Sequence, residues 1–237
     1  MASSDWTPLT SILSTGSVAR GVTAGLTPPN GGGSFVYAMN ALLAATGVAA
    51  LYATPQAPNA NFDPMLKGGD VNGALQRGVG GGQTGVAAFF FLGFQGTDVA
   101  DVGYILGLAD GNPSHVELRK GSLALGLPDE NVGGASKVLA RSTASFAPGA
   151  WVHLRLEMVC NANGDTVLNC YESDLGAHAV TSPVWTAIPG MAQVIDDVAG
   201  INTGSLPLVG GRAGFGARFT DATRRAYFDH LALSKQL

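Results

Sequence analysis

Two carboxylates held close together are the simplest acid–base device a chain can build, so acidic pairs are weighed first. Glu172 and Asp174 stand two apart and would share one face of a strand, but they form only a pair. Asp98 and Asp101 are three apart in a stretch that reads as loop. Asp129-Glu130 and Asp196-Asp197 are adjacent, and adjacent strand residues face opposite ways. Asp98, Asp101, Asp110 and Asn112 offer the hard oxygens that calcium takes. Asp and Asn also favour turns for backbone reasons, and that reading is the stronger one here. His115, His153, His178 and His230 have no Ser or Cys partner in a nucleophile motif. Gly78-Val79-Gly80-Gly81-Gly82 lacks the Lys-Ser/Thr and the helix of a phosphate loop.

Cys160 and Cys170 flank the turn Asn161-Ala162-Asn163-Gly164-Asp165. If those five residues form the loop, Cys160 faces Thr166 and Cys170 faces Leu156. The thiols then lie on one sheet face, about 13 Å apart along the ladder. A disulfide needs Cα atoms within about 7 Å, so two reduced core thiols are expected. Two cysteines and four dispersed histidines are too few soft ligands for a metal centre. No catalytic, cofactor-binding or metal-binding residue is assigned, and no cofactor is expected. Three tryptophans could stack on sugars. Trp151 opens the best strand and reads as core. Trp185, in Ser182-Pro183-Val184-Trp185-Thr186, is the candidate glycan contact.

These residues must be positioned by strands. In Trp151-Val152-His153-Leu154-Arg155-Leu156-Glu157-Met158-Val159-Cys160 the even positions are apolar, and 153, 155 and 157 are polar. That is the period-2 pattern of a half-buried strand. Asn163-Gly164 turns it into a partner over 166–172. Val86-Ala87-Ala88-Phe89-Phe90-Phe91-Leu92-Gly93-Phe94 is apolar on both faces and should be a central, doubly covered strand. Residues 104–109 and 115–123 flank Asp110-Gly111-Asn112-Pro113 and read as a hairpin. Further strands are expected over 34–40, 47–53, 73–79, 211–219 and 225–233, with a short helical segment at 190–198 as an option. Ala213, Phe215 and Ala217 share a face, as do Tyr227, Asp229, Leu231 and Leu233. About ten strands without an amphipathic helix argue an antiparallel sandwich.

Residues 1–33 read as an irregular Gly/Pro-rich arm or surface loop, and residues 34–237 as one β-sandwich domain. The chain has 237 residues, 46% of them apolar, enough for a sizeable core. Only 13% are charged, and 34 are glycine. So little charge either marks a surface covered by neighbours or reflects a Gly/Ala bias. Net charge is −4 without a basic block, so direct nucleic-acid binding is not expected. No apolar run reaches the ~18 residues of a membrane span. The N-terminus lacks the basic-then-apolar order of a signal peptide.

Three pieces of the second half carry a family resemblance. They are Trp151-Val152-His153-Leu154-Arg155-Leu156, the turn Gly164-Asp165-Thr166-Val167-Leu168, and Arg212-Ala213-Gly214-Phe215-Gly216-Ala217-Arg218 followed by Tyr227-Phe228-Asp229-His230-Leu231-Ala232-Leu233. Together they resemble the concanavalin A-like lectin/glucanase superfamily, including laminin-G-like domains, over about residues 140–237. The resemblance implies an all-β antiparallel jelly roll. Glucanases of that superfamily set carboxylates in an order like Glu-X-Asp-X-X-Glu, and no such run exists here, so no enzyme activity is expected.

The chain also resembles tailed-bacteriophage virion proteins, through residues 20–35 and Phe89-Phe90-Phe91-Leu92-Gly93. This implies a non-enzymatic structural component of the particle, in the tail, its tip or decorating the head. It would be assembled in the host cytoplasm, with copies of itself and other virion proteins as partners. The alternative is a carbohydrate-binding attachment module for a host surface glycan. A glycoside hydrolase is the third reading.

Overall fold

A computed structural model of the chain describes residues 6–8, 16–21, 26–33, 36–41, 47–53, 68–78, 85–94, 101–123, 136–200, 205–220 and 224–236. Among them lie fifteen strands and no α-helix. A seven-stranded sheet runs β1 (Trp6–Pro8), β4 (Gly47–Ala53), β14 (Arg212–Phe219), β6 (Val86–Phe94), β7 (Val102–Leu108), β8 (Ser114–Ser122) and β9 (Ser136–Phe146). An eight-stranded sheet runs β12 (Thr186–Ala187), β11 (Thr166–Ser173), β10 (Trp151–Cys160), β5 (Gly68–Arg77), β15 (Arg225–Gln236), β3 (Val36–Ala41) and β2 (Gly16–Gly21). β13 (Val194–Asp196) also pairs with β11. The pairings are antiparallel, and the two sheets stack as a jelly-roll sandwich of the concanavalin A-like kind.

Alternation places the core. Val152, Leu154, Leu156 and Met158 of β10 meet Ala213, Phe215, Ala217 and Phe219 of β14 in one cluster between the sheets. Phe228 of the eight-stranded sheet contacts Phe215 and Phe90 of the other, with ring centroids 5.0 and 6.2 Å apart. Such ring pairs add about 0.5–1.5 kcal/mol beyond the area they bury. β6 is doubly covered as expected. Ala88, Phe90 and Leu92 face the main core, while Ala87, Phe89 and Phe91 join a second buried cluster on the sheet's other side. Beside that second cluster Glu117 is buried between Arg119 and Arg141.

The 161–165 turn forms as expected. Cys160 pairs with Thr166 and Cys170 with Leu156, and both thiols are free. Three expectations change. The first 33 residues are not uniformly irregular: β1 pairs with β4 and β2 with β3. Neighbouring strands supply what a sequence such as Gly-Ser-Val-Ala-Arg-Gly lacks in propensity. Residues 26–33 do stay irregular. The 190–198 stretch holds β13 instead of a helix. In β15 a bulge between Asp229 and Ala232 breaks the alternation. His230 takes a φ of +54° there, so Ala226, Phe228 and Leu231 face the core while Asp229 faces out.

Candidate functional site

The outward face of β10 carries Trp151, His153, Arg155 and Glu157, because the even positions are spent on the core. Ladder register extends each into a column. Glu157 stands between Asn169 and Asp70, Arg155 between Tyr171 and Asn72, His153 between Ser173 and Ala74. Asp229 follows beyond Ala74.

The first two columns form a closed network. Arg155 Nη2 donates to Asp70 Oδ2 at 3.1 Å and Glu157 Oε1 at 3.3 Å. Glu157 Oε2 accepts from Asn169 Nδ2 at 3.0 Å and the Tyr171 hydroxyl at 3.1 Å. Asp70 also accepts from Asn72 Nδ2 and the Ser234 hydroxyl. The Arg155 guanidinium lies 5.4 Å from the Tyr171 ring centre. Burial, then the Glu157 charge, raises the Tyr171 hydroxyl above its ordinary value. Every carboxylate oxygen in this group already accepts a hydrogen bond.

The other end of β10 is open. A cavity of about 440 Å³ is bounded by Phe146 of β9, Trp151 and His153 of β10, Glu172 and Ser173 of β11, Asp174 and Leu175 beyond it, and Thr186 of β12. It lies where turn 147–150 carries the chain from one sheet to the other. That turn is pinned by Gly149 N donating to Arg77 O and by Gln76 Nε2 donating to Gly149 O.

One irregular segment bounds the cavity and a second holds it. Asp174 starts a turn, its Oδ1 accepting from Gly176 N and its backbone O from His178 N, both at 2.8 Å. Residues 26–33 strap that turn down. Asn30 Nδ2 donates to Leu175 O at 3.0 Å, and Val180 N donates to Asn30 O at 2.7 Å. Gly31 crosses so close that a Cβ there would sit 2.6 Å from the Ala179 Cβ. Trp151 Nε1 donates to Thr27 O at 2.8 Å, which fixes the indole.

Trp185 then folds back onto His153, with ring centroids 4.6 Å apart. His153 is only 1% exposed, and its Nδ1 is buried without a partner. Burial first, and the His230 charge second, lower its pKa to about 4. The ring is therefore neutral at pH 7. Ser173 faces it across the ladder, and the Ser173 hydroxyl accepts from Val184 N.

Trp185 is half-buried against a residue that bounds the cavity and is not itself in the bounding set. Trp151, expected in the core, is half-exposed and bounds the cavity instead. It opens β10 on the outward parity, a signal already present in its odd number. Glu172 and Asp174 come together at the same cavity. Asp110 ties its turn to the start of β6, Oδ1 accepting from Gly85 N at 2.5 Å. Asp196 is buried and Asp197 half-exposed, as opposite-facing neighbours should be. Asp98 and Asp129-Glu130 lie outside the described residues. Among the described residues no three His, Cys, Asp or Glu stand together as a metal site. No helix there is long and apolar enough to cross a membrane.

No family model and no curated protein matches the chain. Solved structures do. The PL-14 alginate lyase from the marine Aplysia kurodai matches with a TM-score of 0.52 at 11% identity, over 91% of this chain and 86% of that one. The carbohydrate-binding module CBM66 from Bacillus subtilis matches at 0.45 and 13%, over 95% and 99%. The cellulose-induced protein Cip1 matches at 0.49 and 12%, over 98% and 92%. At these identities the likeness is one of fold.

Proposed function

We propose that this chain is a non-enzymatic carbohydrate-binding module whose ligand sits in the Trp151–Glu172–Asp174 cavity. The observation that carries this reading is the cavity's make-up. One wall offers an indole held in place by its own hydrogen bond to Thr27 O. The other walls offer carboxylate, hydroxyl and backbone groups. A sugar has apolar C–H faces for an indole and a rim of hydroxyls for polar groups. Sites of this kind, concave with a few convergent polar groups, are the usual small-ligand sites. The non-enzymatic part of the reading is supported by Asp70 and Glu157 of the outward face, both of which are committed to Arg155 and its neighbours.

A glycan array with the purified chain tests this. Binding to a defined glycan is expected, and Trp151→Ala should weaken it at least about tenfold, as removal of a central aromatic anchor does. Trp185→Ala should weaken it less, through loss of the ring that holds His153. An array without any bound glycan would sink the reading. A bacteriophage particle, with the module on the tail or head surface beside copies of itself, is where we place it. That placement rests on the character of residues 20–35 and 89–93. Peptides of this chain should then appear in mass spectra of intact particles, and their absence would remove the placement while leaving the module.

A further inference from the structure

We infer that the cavity selects non-anionic glycans, neutral or amino sugars, and rejects uronates and other acidic sugars. The inference rests on the glycan-binding reading and adds the charge class of the ligand. Its basis is what bounds the cavity. Among the described residues two carboxylates do, Glu172 and Asp174, and no Lys or Arg does. Glu172 is half-exposed, and no described residue holds its carboxylate. Among the described residues Asp174 uses only Oδ1, for Gly176 N, which leaves Oδ2 open. Arg155, one column away on the same strand, is tied to Asp70 and Glu157.

His153 adds a second, independent sign. It bounds the same cavity, is 1% exposed, and has an unpartnered Nδ1. It is held neutral, so it supplies no positive charge to offset the two carboxylates. A carboxylate accepts hydrogen bonds and donates none. Sugar hydroxyls and ammonium groups donate to it, and charge-assisted bonds of this type are the strong ones. A uronate would bring acceptor against acceptor and a third negative charge into the same space.

Titration calorimetry of the full chain tests this with three probes: neutral gluco- and manno-oligosaccharides, a chitosan oligomer, and an oligo-uronate. A neutral or amino-sugar oligomer is expected to bind at least about tenfold tighter than the oligo-uronate at low ionic strength. The gap should narrow in about 1 M salt, where charges are screened over about 3 Å. Glu172→Gln and Asp174→Asn should cut the preferred ligand's affinity about tenfold and narrow the gap. Should either variant melt early, the wild-type ratio and its salt dependence still decide the matter. Equal or tighter uronate binding overturns the charge assignment and leaves a glycan-binding module standing. Failure of all three probes, together with an empty array, overturns both.

Discussion

His153 shows how far one residue's chemistry can move from its place in the pattern. By alternation it belongs on the outward face of β10 with Arg155 and Glu157, and it does. What the pattern does not carry is the ring of Trp185, delivered by a loop that leaves β11 and returns as β12. Loop 174–185 has no period from which to read its path. The cover makes the imidazole a buried base with a pKa of about 4. The groups facing it are Ser173, Ala74 with Asp229 beyond, Trp185 and His230, and it bounds the same cavity as the carboxylates Glu172 and Asp174. An unfolded histidine titrates near 6.5, so the unfolded chain takes up a proton between about pH 6.5 and 4 that the folded chain refuses. Stability is full above that window and falls as pH falls through it, by at most about 3 kcal/mol. Asp229 works the other way. Burial raises its carboxyl, so its contribution is present in the protonated form and lost as pH rises through the raised value. Thermal melts across the acid range should show the wild type losing stability between about pH 6.5 and 4. His153→Gln should flatten that limb, and an unchanged limb would place the titration on another group. Asp229→Asn keeps the acceptor for His230 N and removes a buried charge, so it should raise Tm at pH 7. A lower Tm would mean that the carboxylate is compensated.

At the scale of elements, strands with a clean period were legible and those set by partners were not. β10, β11, β14, β6 and the β7–β8 hairpin follow from alternation, apolar runs and turn residues. β2, β12 and β13 are short or weakly β-forming and exist because β3 and β11 offer them an edge. The closing strand was legible as a strand but not in its facing. His230 inserts one extra residue at positive φ, and every side chain after it changes sides. The strap at residues 26–33 was legible only as irregular, yet it holds the cavity wall. Two changes probe that role. Asn30→Ala removes the Nδ2 bond to Leu175 O, worth about 1 kcal/mol. Amide exchange should speed up over 175–180 and glycan affinity should drop, with Tm nearly unchanged. Gly31→Ala is more severe. It must accept a φ of +74° and a 2.6 Å approach to Ala179 Cβ, so strap and turn should part together. Unaltered exchange over 175–180 in both variants would show that the strap is passive.

Across the whole molecule, charge is scarce and much of it is internal. The chain has 13 basic and 17 acidic residues, and among the described ones seven (Asp70, Arg77, Glu117, Arg119, Lys120, Asp196 and Asp229) are buried. Composition showed the scarcity but not this inward placement, because pairing depends on which strands face each other. The best-defined of these groups clasps the two sheets. Asp196 of β13 accepts from Lys120 Nζ of β8 and the Tyr104 hydroxyl of β7, both at 2.6 Å. Lys120 Nζ also donates to Leu206 O, and Leu208 N donates to the Tyr104 oxygen, so loop 205–208 is held by the same clasp. Burial and the adjacent Asp196 charge hold the Tyr104 hydroxyl well above the ordinary phenol range. Lys120→Met leaves Asp196 buried without its counter-charge and should cost about 3–5 kcal/mol. Lys120→Met combined with Asp196→Leu should recover part of that loss, because an apolar pair of similar volume carries no desolvation cost. β13 pairs β11 at Thr166–Leu168, while the cavity borders Glu172 and Ser173. Those points are four or more residues apart, at least about 13 Å along the strand. Denaturant melts of Lys120→Met should therefore drop sharply while glycan affinity, measured well below the new midpoint, stays at the wild-type value. A parallel loss of affinity would mean that the clasp and the cavity form one cooperative unit, with the whole sandwich rather than the strap positioning Trp151.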